Sequence, residues 1–173
     1  MVGKRRRLLH VAIGVVGASL LLVGCSMVFE ERLIFVPSCY PNGNWHPVGL
    51  QCEDVAFATQ DGVRLHGWYC PVPRPRCVFL MMHGNAGNIT HRVDRIMAWQ
   101  HLLNVSVFVF DYRGYGRSAG QPNEPGVYHD ARAAYHWLTA DKGIAPDDVV
   151  FFGGSHSVRP SPSSSLRRCH PVP

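Results

Sequence analysis

The sequence predicts an α/β fold in which an antiparallel hairpin precedes a parallel β-α-β-α-β sheet. Three continuous apolar runs are the main evidence, because an apolar run without alternation is typical of a strand buried on both faces. The runs are "CVFLMM" (77–82), "VSVFVF" (105–110) and "DVVFF" (148–152). Helical patterns separate them, and parallel strands joined by helices form right-handed crossovers.

The N-terminal residues 1–25 have the pattern of a secretory signal. Four basic residues, "KRRR", precede the apolar stretch "LLHVAIGVVGASLLLVGC" at 8–25. Its ending "LVGC" resembles the lipobox of bacterial lipoproteins, which implies lipidation of Cys25. The alternative is an uncleaved signal anchor. Either interpretation places the rest of the chain at a membrane, facing the periplasm or the outside, with a lipid anchor or a membrane helix as its partner.

Residues 26–51 predict an irregular linker, with "PNGNWHP" (41–47) as a loop. The alternating segments 54–59 and 63–70 flank Asp61-Gly62 and therefore predict an antiparallel hairpin. Cys52 and Cys70 flank this hairpin and could face each other across it. Export would permit disulfides, but spacing alone does not determine how the six cysteines pair.

Two helices are expected between the buried strands. The first carries an apolar stripe at helical spacing, formed by Ile89, Val93, Ile96, Met97 and Leu103. The second, "GVYHDARAAYHWL" (126–138), carries the stripe of Val127, Ala131, Ala134 and Leu138. The segment Asn123-Glu124-Pro125 before it is a suitable helix start.

Composition and charge exclude several functions. The chain has 173 residues, 46% of them hydrophobic, and a net charge of +5. The basic excess lies at the two ends, because residues 25–155 hold 10 Lys and Arg against 12 Asp and Glu. The body therefore has no basic surface for nucleic acid. No His/Cys cluster has the spacing of zinc ligands, and we expect neither metal nor cofactor.

The first buried strand is followed by "HGNAGN", residues 83–88. Glycines beside a helix start leave backbone N–H groups free to bind an anion. Such a loop supplies half of an oxyanion hole in some hydrolases. The alternative is a plain strand-to-helix turn whose glycines only make the bend.

The second buried strand is followed by "DYRGYGRSAG", residues 111–120. Asp111 has two interpretations: a catalytic carboxylate, or a brace for the loop through Arg113 or a backbone N–H. We favour the brace. The third strand is followed by "GGSHS", residues 153–157, where a serine after a strand and a tight turn is typical of a nucleophile elbow. Ser157 replaces the second glycine of that motif, and Ser155 could instead cap a helix.

Taken together, "HGNAGNITHR", "VFDYRGYGRSAGQPNEPGVYHDARAAYHWL" and "VVFFGGS" resemble the α/β-hydrolase superfamily, and within it the membrane-associated ABHD-type serine hydrolases. The resemblance spans about residues 50–155. It implies acyl-ester or thioester hydrolysis by a Ser–His–Asp triad. By this resemblance Ser155 is the nucleophile, and the oxyanion donors are the backbone N–H groups of Asn85 and His156. The motif residues with structural roles would be His83, Gly84, Asp111, Gly114 and Gly153.

The sequence departs from the family after Ser155, where members continue with a glycine and a helix. Neither His156 nor His170 can be placed as the base, and no acid follows. With GC-rich codons for residues 156–163, a reading frame one nucleotide earlier encodes Leu-Gly-Ala-Ala-Val-Ala-Val, which restores the motif. We therefore expect a frameshift directly after Ser155, a partial hydrolase domain at 52–157 without its C-terminal part, and a disordered, out-of-frame tail at 158–173.

Two functions follow from these expectations. The first is a membrane-tethered serine hydrolase that would act on a small acyl ester if completed, the present chain being inactive without triad acid and base. The second is a non-catalytic remnant or an anchored binding module. The reading frame beyond Ser155 distinguishes them.

Overall fold

The structure, a computed structural model, describes residues 34–153 together with residue 10 and residues 13–19. The chain forms two compact units, Met1–Ile34 and Phe35–Pro173. In the first unit, residues 13–19 are helical. No helix in these described ranges is both long enough and apolar enough to cross a membrane. The expected lipidation site Cys25 and the expected out-of-frame tail at 158–173 lie outside the described residues.

The second unit is organised around a five-stranded mixed sheet. Its strands, in chain order, are β2 (Glu53–Ala58), β3 (Arg64–Cys70), β4 (Val78–Met82), β6 (Ser106–Asp111) and β7 (Val149–Gly153). They lie side by side in the order β2-β3-β6-β4-β7. The β2–β3 and β3–β6 pairs are antiparallel, whereas β4 is parallel to both β6 and β7. The predicted fold class, an antiparallel hairpin followed by a parallel β-α-β-α-β sheet, is confirmed.

The hairpin closes through a tight turn and a disulfide. Gly62, at φ +81°, donates its N–H to Thr59 O at 2.9 Å. A positive φ of this kind is accessible to glycine at little cost, which explains the Asp-Gly sequence at the turn. At the other end of the hairpin, Cys52 and Cys70 form a disulfide. The structure thereby settles a pairing that the spacing of the cysteines left open.

Two helices cover opposite faces of the sheet. Helix α1 (Val93–Leu103) follows the 3₁₀ turn Ile89–Arg92, and helix α2 (Glu124–His136) follows β6. Along β6 successive side chains point to opposite faces, as the pleat requires. One face packs with α2 in the core formed by Phe108, Phe110, Val127, Ala134 and Leu138, among others. The other packs with α1 in a second core that includes Val107, Val109, Ile89 and Ile96.

The apolar stripe expected on the first helix is wrong at two positions. Ile89 and Ile96 are buried, but Met97 and Leu103 are each 38% exposed. Trp99 packs against the core instead, with its ring centroid 5.3 Å from that of Phe79. Val93 also packs against this core, so the expected stripe holds as far as Ile96 and fails at Met97 and at Leu103, the last residue of α1.

Helix α2 starts as its sequence predicts. Asn123 is the N-cap, and its side-chain oxygen accepts the N–H of Gly126 at 2.7 Å. Pro125 lies in the first turn, where its missing N–H costs no hydrogen bond. The predicted stripe is confirmed, because Val127, Ala134 and Leu138 are buried and Ala131 packs against them.

Residues 35–51 lack long regular elements but pack onto the rest of the second unit. The short strand β1 (Val36–Pro37) runs parallel to β5 (Ala86–Gly87). Cys39 forms an isolated parallel bridge with Gly116. Trp45 and Leu50 are buried in the α1-side core. The segment expected to be an irregular linker therefore contributes to the core and contacts two loops at the carboxyl edge of the sheet.

Candidate active site

The loop after β4, residues 83–88, begins with a buried histidine. His83 is 2% exposed, and its Nδ1 lies 2.8 Å from Gly84 O. A carbonyl oxygen can only accept, so Nδ1 carries the hydrogen and donates it. Burial lowers the pKa of His83, and the nearby Asp111 carboxylate only partly opposes this effect. The sequence predicted a structural role for His83, and these contacts suit that role.

Asn85 follows on the same loop and is half-buried. Its carbonyl oxygen accepts two hydrogen bonds, from Tyr115 Oη at 2.6 Å and from Val36 N at 2.9 Å. Its own backbone N–H donates to none of the described residues. Beside it, a methyl group added to Gly84 would meet nothing within 4 Å. Open space therefore adjoins Gly84, next in sequence to a backbone N–H of the kind that stabilises an oxyanion.

The end of the β4 loop is tied down by Asn88, which is fully buried. Its side-chain oxygen accepts from Thr90 N at 3.0 Å and thereby caps the 3₁₀ turn. Its side-chain nitrogen donates to Ser38 O and Asn42 O at 3.1 and 2.9 Å. Asn88 thus joins the β4 loop to the N-terminal segment.

Asp111, at the end of β6, is fully buried beside the β4 loop. Its Oδ1 accepts the backbone N–H of Ile89 at 2.9 Å. Its Oδ2 has no hydrogen-bond partner in the ranges that the structure describes, while His83 Nε2 and His66 Nδ1 lie 3.7 and 3.9 Å from the carboxylate. The backbone N–H of Ile89 is a contact of the bracing kind that the sequence suggested for Asp111.

Arg113 was the first of the two bracing partners considered for Asp111, but its hydrogen bonds go to other carboxylates. It donates to Asp130 on α2 through its backbone N at 2.8 Å, Nε at 3.0 Å and Nη2 at 2.8 Å. Its guanidinium also pairs with Asp61 in the hairpin turn, at 2.8 and 3.1 Å. Arg113 therefore joins three elements, and sequence spacing offered no signal for either partner.

Glycines keep the β6 loop close to Asp111. Gly116 has φ +47°, and a Cβ at this position would collide with the Asp111 carboxylate. Gly114 has φ +78°, and a Cβ there would lie 2.6 Å from Pro122 Cδ. Both positions are therefore restricted to glycine by backbone conformation and by space.

Two tyrosines of the β6 loop contact the His83 ring. Ring centroids are 4.9 Å apart for His83 and Tyr112, and 5.5 Å apart for His83 and Tyr115. Burial raises the pKa of Tyr115 to about 12 and raises that of Tyr112 further. Both hydroxyls therefore stay protonated at neutral pH. The Tyr112 hydroxyl is buried and has no hydrogen-bond partner within the described part of the chain.

The end of β7 lies beside the β4 loop. Gly153, the last described residue, pairs with Met82, which directly precedes His83. Ser155 and His156, the predicted nucleophile and second oxyanion donor, lie outside the described residues. No group of three or more His, Cys, Asp or Glu side chains in the described part of the chain could hold a metal ion.

Comparison with known proteins identifies relatives of this chain. It is 41% identical over 128 residues to an uncharacterised protein of Mycobacterium tuberculosis, covering 73% of this chain and 45% of the relative. It is 35% identical over 150 residues to the α/β hydrolase domain-containing protein WAV2 of Arabidopsis thaliana, covering 82% and 47%. This chain belongs to the α/β-hydrolase superfamily. No protein-family model matches it.

A solved esterase structure has a similar fold. The Pyrococcus furiosus esterase PF2001 superposes with a TM-score of 0.55 at 23% identity, covering 69% of this chain and 47% of that one. The chain spans about half the length of the relatives it matches. The predicted resemblance to α/β hydrolases is confirmed.

Several residues of this α/β-hydrolase chain that sequence reasoning missed shape the candidate site. Tyr115, Val36, Ser38 and Asn88 hold the β4 loop through the contacts described above. Tyr115 belongs to the "DYRGYG" motif, but its role as a hydrogen-bond donor required the structure. Val36 and Ser38 lie far from the site in sequence and carried no motif.

Proposed function

We propose that this chain carries the oxyanion loop and the nucleophile of a serine hydrolase that cleaves small acyl esters. The observation that supports this most directly is the β4 loop, in which the Asn85 N–H donates to none of the described residues and follows Gly84, a position with open space beside it, near the end of β7. In this proposal Ser155, two residues beyond Gly153, attacks the acyl carbonyl carbon. The developing oxyanion accepts hydrogen bonds from the N–H groups of Asn85 and His156.

The reaction also needs a base. A serine hydroxyl is a weak nucleophile until a histidine accepts its proton and a carboxylate orients that histidine. His83 does not fit this role, because its Nδ1 is committed to Gly84 O and its Nε2 faces the buried Asp111. We propose that the 173-residue chain alone is inactive, since His156 and His170 are the only histidines after Ser155.

We also propose that the hydrolase is tethered to a membrane through Cys25 or through an uncleaved N-terminal helix, as the basic and apolar residues at 4–25 suggest. A membrane location would favour lipid or other apolar acyl esters as substrates.

Labelling by a fluorophosphonate, which modifies activated serines, tests the catalytic proposal. The chain to compare with the natural one is a chimaera, in which residues 1–155 are followed by the C-terminal half of the mycobacterial relative. The chimaera should be labelled on the peptide that contains Ser155, and Ser155→Ala should abolish labelling. The natural chain should be labelled barely or not at all.

Each contrary result has a distinct meaning. A folded chimaera that is never labelled would favour the non-catalytic interpretation. Strong labelling of the natural chain at Ser155 would show that a base is present and would overturn the proposed inactivity. The nucleotide sequence over residues 150–173 tests the frameshift separately, because the alternative frame must encode the hydrolase motif if that proposal holds.

A further inference from the structure

Asn85 lies between two backbone carbonyls that are both held by hydrogen bonds. The first, Gly84 O, accepts His83 Nδ1–H at 2.8 Å. The second, Asn85 O, accepts the Tyr115 hydroxyl at 2.6 Å and the Val36 N–H at 2.9 Å. These three donors come from the β4 loop, the β6 loop and the N-terminal segment.

Peptide planarity links these bonds to the direction of the Asn85 N–H. In a trans peptide the carbonyl and the N–H of the same unit point in opposite directions. The Asn85 N–H shares its peptide with Gly84 O, so the bond from His83 directs that N–H away from the histidine. Asn85 O belongs to the next peptide, between Asn85 and Ala86, so the two bonds to this oxygen orient that peptide. The backbone of Asn85 is therefore held on both sides.

We propose that Tyr115 is a positioning residue for the Asn85 oxyanion donor. Its ring is fully buried and contacts His83, while its hydroxyl reaches the Asn85 carbonyl. Tyr115 therefore contacts both the histidine that orients one peptide and the carbonyl of the next. This inference rests on the proposed function, since it assigns Tyr115 to the same oxyanion site.

The neighbouring Tyr112 is a matched control for Tyr115. Both tyrosines lie on the β6 loop, are buried, and contact the His83 ring. The Tyr115 hydroxyl is bonded to the β4 loop, whereas the Tyr112 hydroxyl has no hydrogen-bond partner among the described residues. Replacing either by phenylalanine removes one oxygen and keeps the ring, so the two variants differ in the contact of interest.

The first test measures the contact in the natural 173-residue chain by NMR. Tyr115→Phe should move the carbonyl ¹³C signal of Asn85 and the amide signal of Ala86, which report on that peptide. Tyr112→Phe should leave both signals in place. Val36→Pro removes the other donor to the same carbonyl and should move the same signals, which keeps the test decisive if Tyr115→Phe does not fold. Unchanged Asn85 signals, or equal changes in the Tyr112→Phe chain, would overturn the proposal.

The second test uses the chimaera and an ester substrate. Loss of one neutral hydrogen bond corresponds to roughly a ten-fold effect, so Tyr115→Phe should lower kcat about ten-fold with little change in KM. Tyr112→Phe should change neither parameter. A rise in KM at constant kcat would contradict positioning of an oxyanion donor. An inactive unaltered chimaera would instead overturn the proposed function, and the NMR result would remain valid on its own.

Discussion

Arg113 and Asp130 are joined in the protein interior by three hydrogen bonds of 2.8–3.0 Å, one of them from the backbone N–H of Arg113. The pair connects the β6 loop to helix α2, and the guanidinium extends the connection to Asp61 in the hairpin turn. A buried charge is costly to leave without its partner, so this cluster should dominate the stability of the region.

Asp130→Asn should destabilise the second unit by roughly 3 kcal/mol or more, because it leaves the buried guanidinium without its main counter-charge. Asp61→Asn should cost much less, since the Asp61 side chain is 39% exposed and water replaces part of the interaction. Urea unfolding followed by tryptophan fluorescence measures both. Equal losses of unfolding free energy in the two variants would show that burial of the Arg113–Asp130 pair does not increase its contribution to stability.

Acid should weaken the contact between Arg113 and Asp61. The hydrogen bond from Arg113 lowers the pKa of Asp61 well below its usual value near 3.8. A carboxyl group whose pKa is lowered by folding stabilises the protein at pH values above its pKa in the unfolded state. This stabilisation disappears as the pH falls through its pKa in the folded state. The stability difference between the natural chain and Asp61→Asn should therefore be constant above about pH 5 and shrink below pH 4. A pH-independent difference would refute this explanation.

Gly116→Ala should be among the most damaging substitutions in the β6 loop. The added Cβ would collide with the buried Asp111 carboxylate, and the φ of +47° already disfavours alanine. Gly143→Ala is the control, because Gly143 has φ +74° but no atom within 4 Å of the added Cβ. We expect the free energy of unfolding to fall by about 1–2 kcal/mol in Gly143→Ala and by roughly 3 kcal/mol or more in Gly116→Ala. The thermal midpoints of unfolding should fall in the same order. Similar midpoints for the two variants would mean that the strained backbone conformation, and not the collision with Asp111, accounts for the loss of stability.

Gly84→Ala should separate stability from activity. The added methyl group meets no neighbouring atom within 4 Å, so the stability should change by less than about 0.5 kcal/mol. The methyl group would nevertheless occupy the space in front of Asn85 and should reduce fluorophosphonate labelling of the chimaera. Full labelling of a stable Gly84→Ala chimaera would show that substrate does not approach along this side of the loop.

Cys25→Ser should release the protein from the membrane fraction if Cys25 carries a lipid. Each buried CH₂ of an acyl chain contributes about 0.8 kcal/mol to membrane binding, so loss of the lipid has a large effect. Fractionation and the mass of the mature N-terminus measure the outcome. A variant that stays membrane-bound and keeps residues 1–24 would support the uncleaved-anchor alternative.

The strands and the start of α2 were predictable because local sequence determines them. Runs such as "CVFLMM" have no charged or strongly polar position that could face water, and Asn123 followed by Pro125 is a strong start signal. The fold class followed from these elements, since strands alternating with helices leave few arrangements. The exposure of Met97 and Leu103 on α1 was not predictable, because the spacing of apolar residues does not determine how wide the packed face of a helix is or where along the helix it ends.

The contacts that shape the candidate site were less accessible from sequence. Asp61 and Asp130 lie 52 and 17 residues from Arg113, and no pattern distinguishes them from other acidic residues. Trp45 is buried although its neighbours "PNGNWHP" are typical of a loop. Such contacts depend on how elements come together, which composition and periodicity do not encode.

The pairing of β1 with β5 has a consequence for the order in which the protein folds and opens. Residues 36–38 contact loops that are synthesised much later, so these contacts close a long chain segment and should form after the central sheet. Because β1 is only two residues long, it should also be among the first elements to detach in local opening. The geometry around Asn85 would then be the last feature acquired during folding and the first lost under mild denaturant.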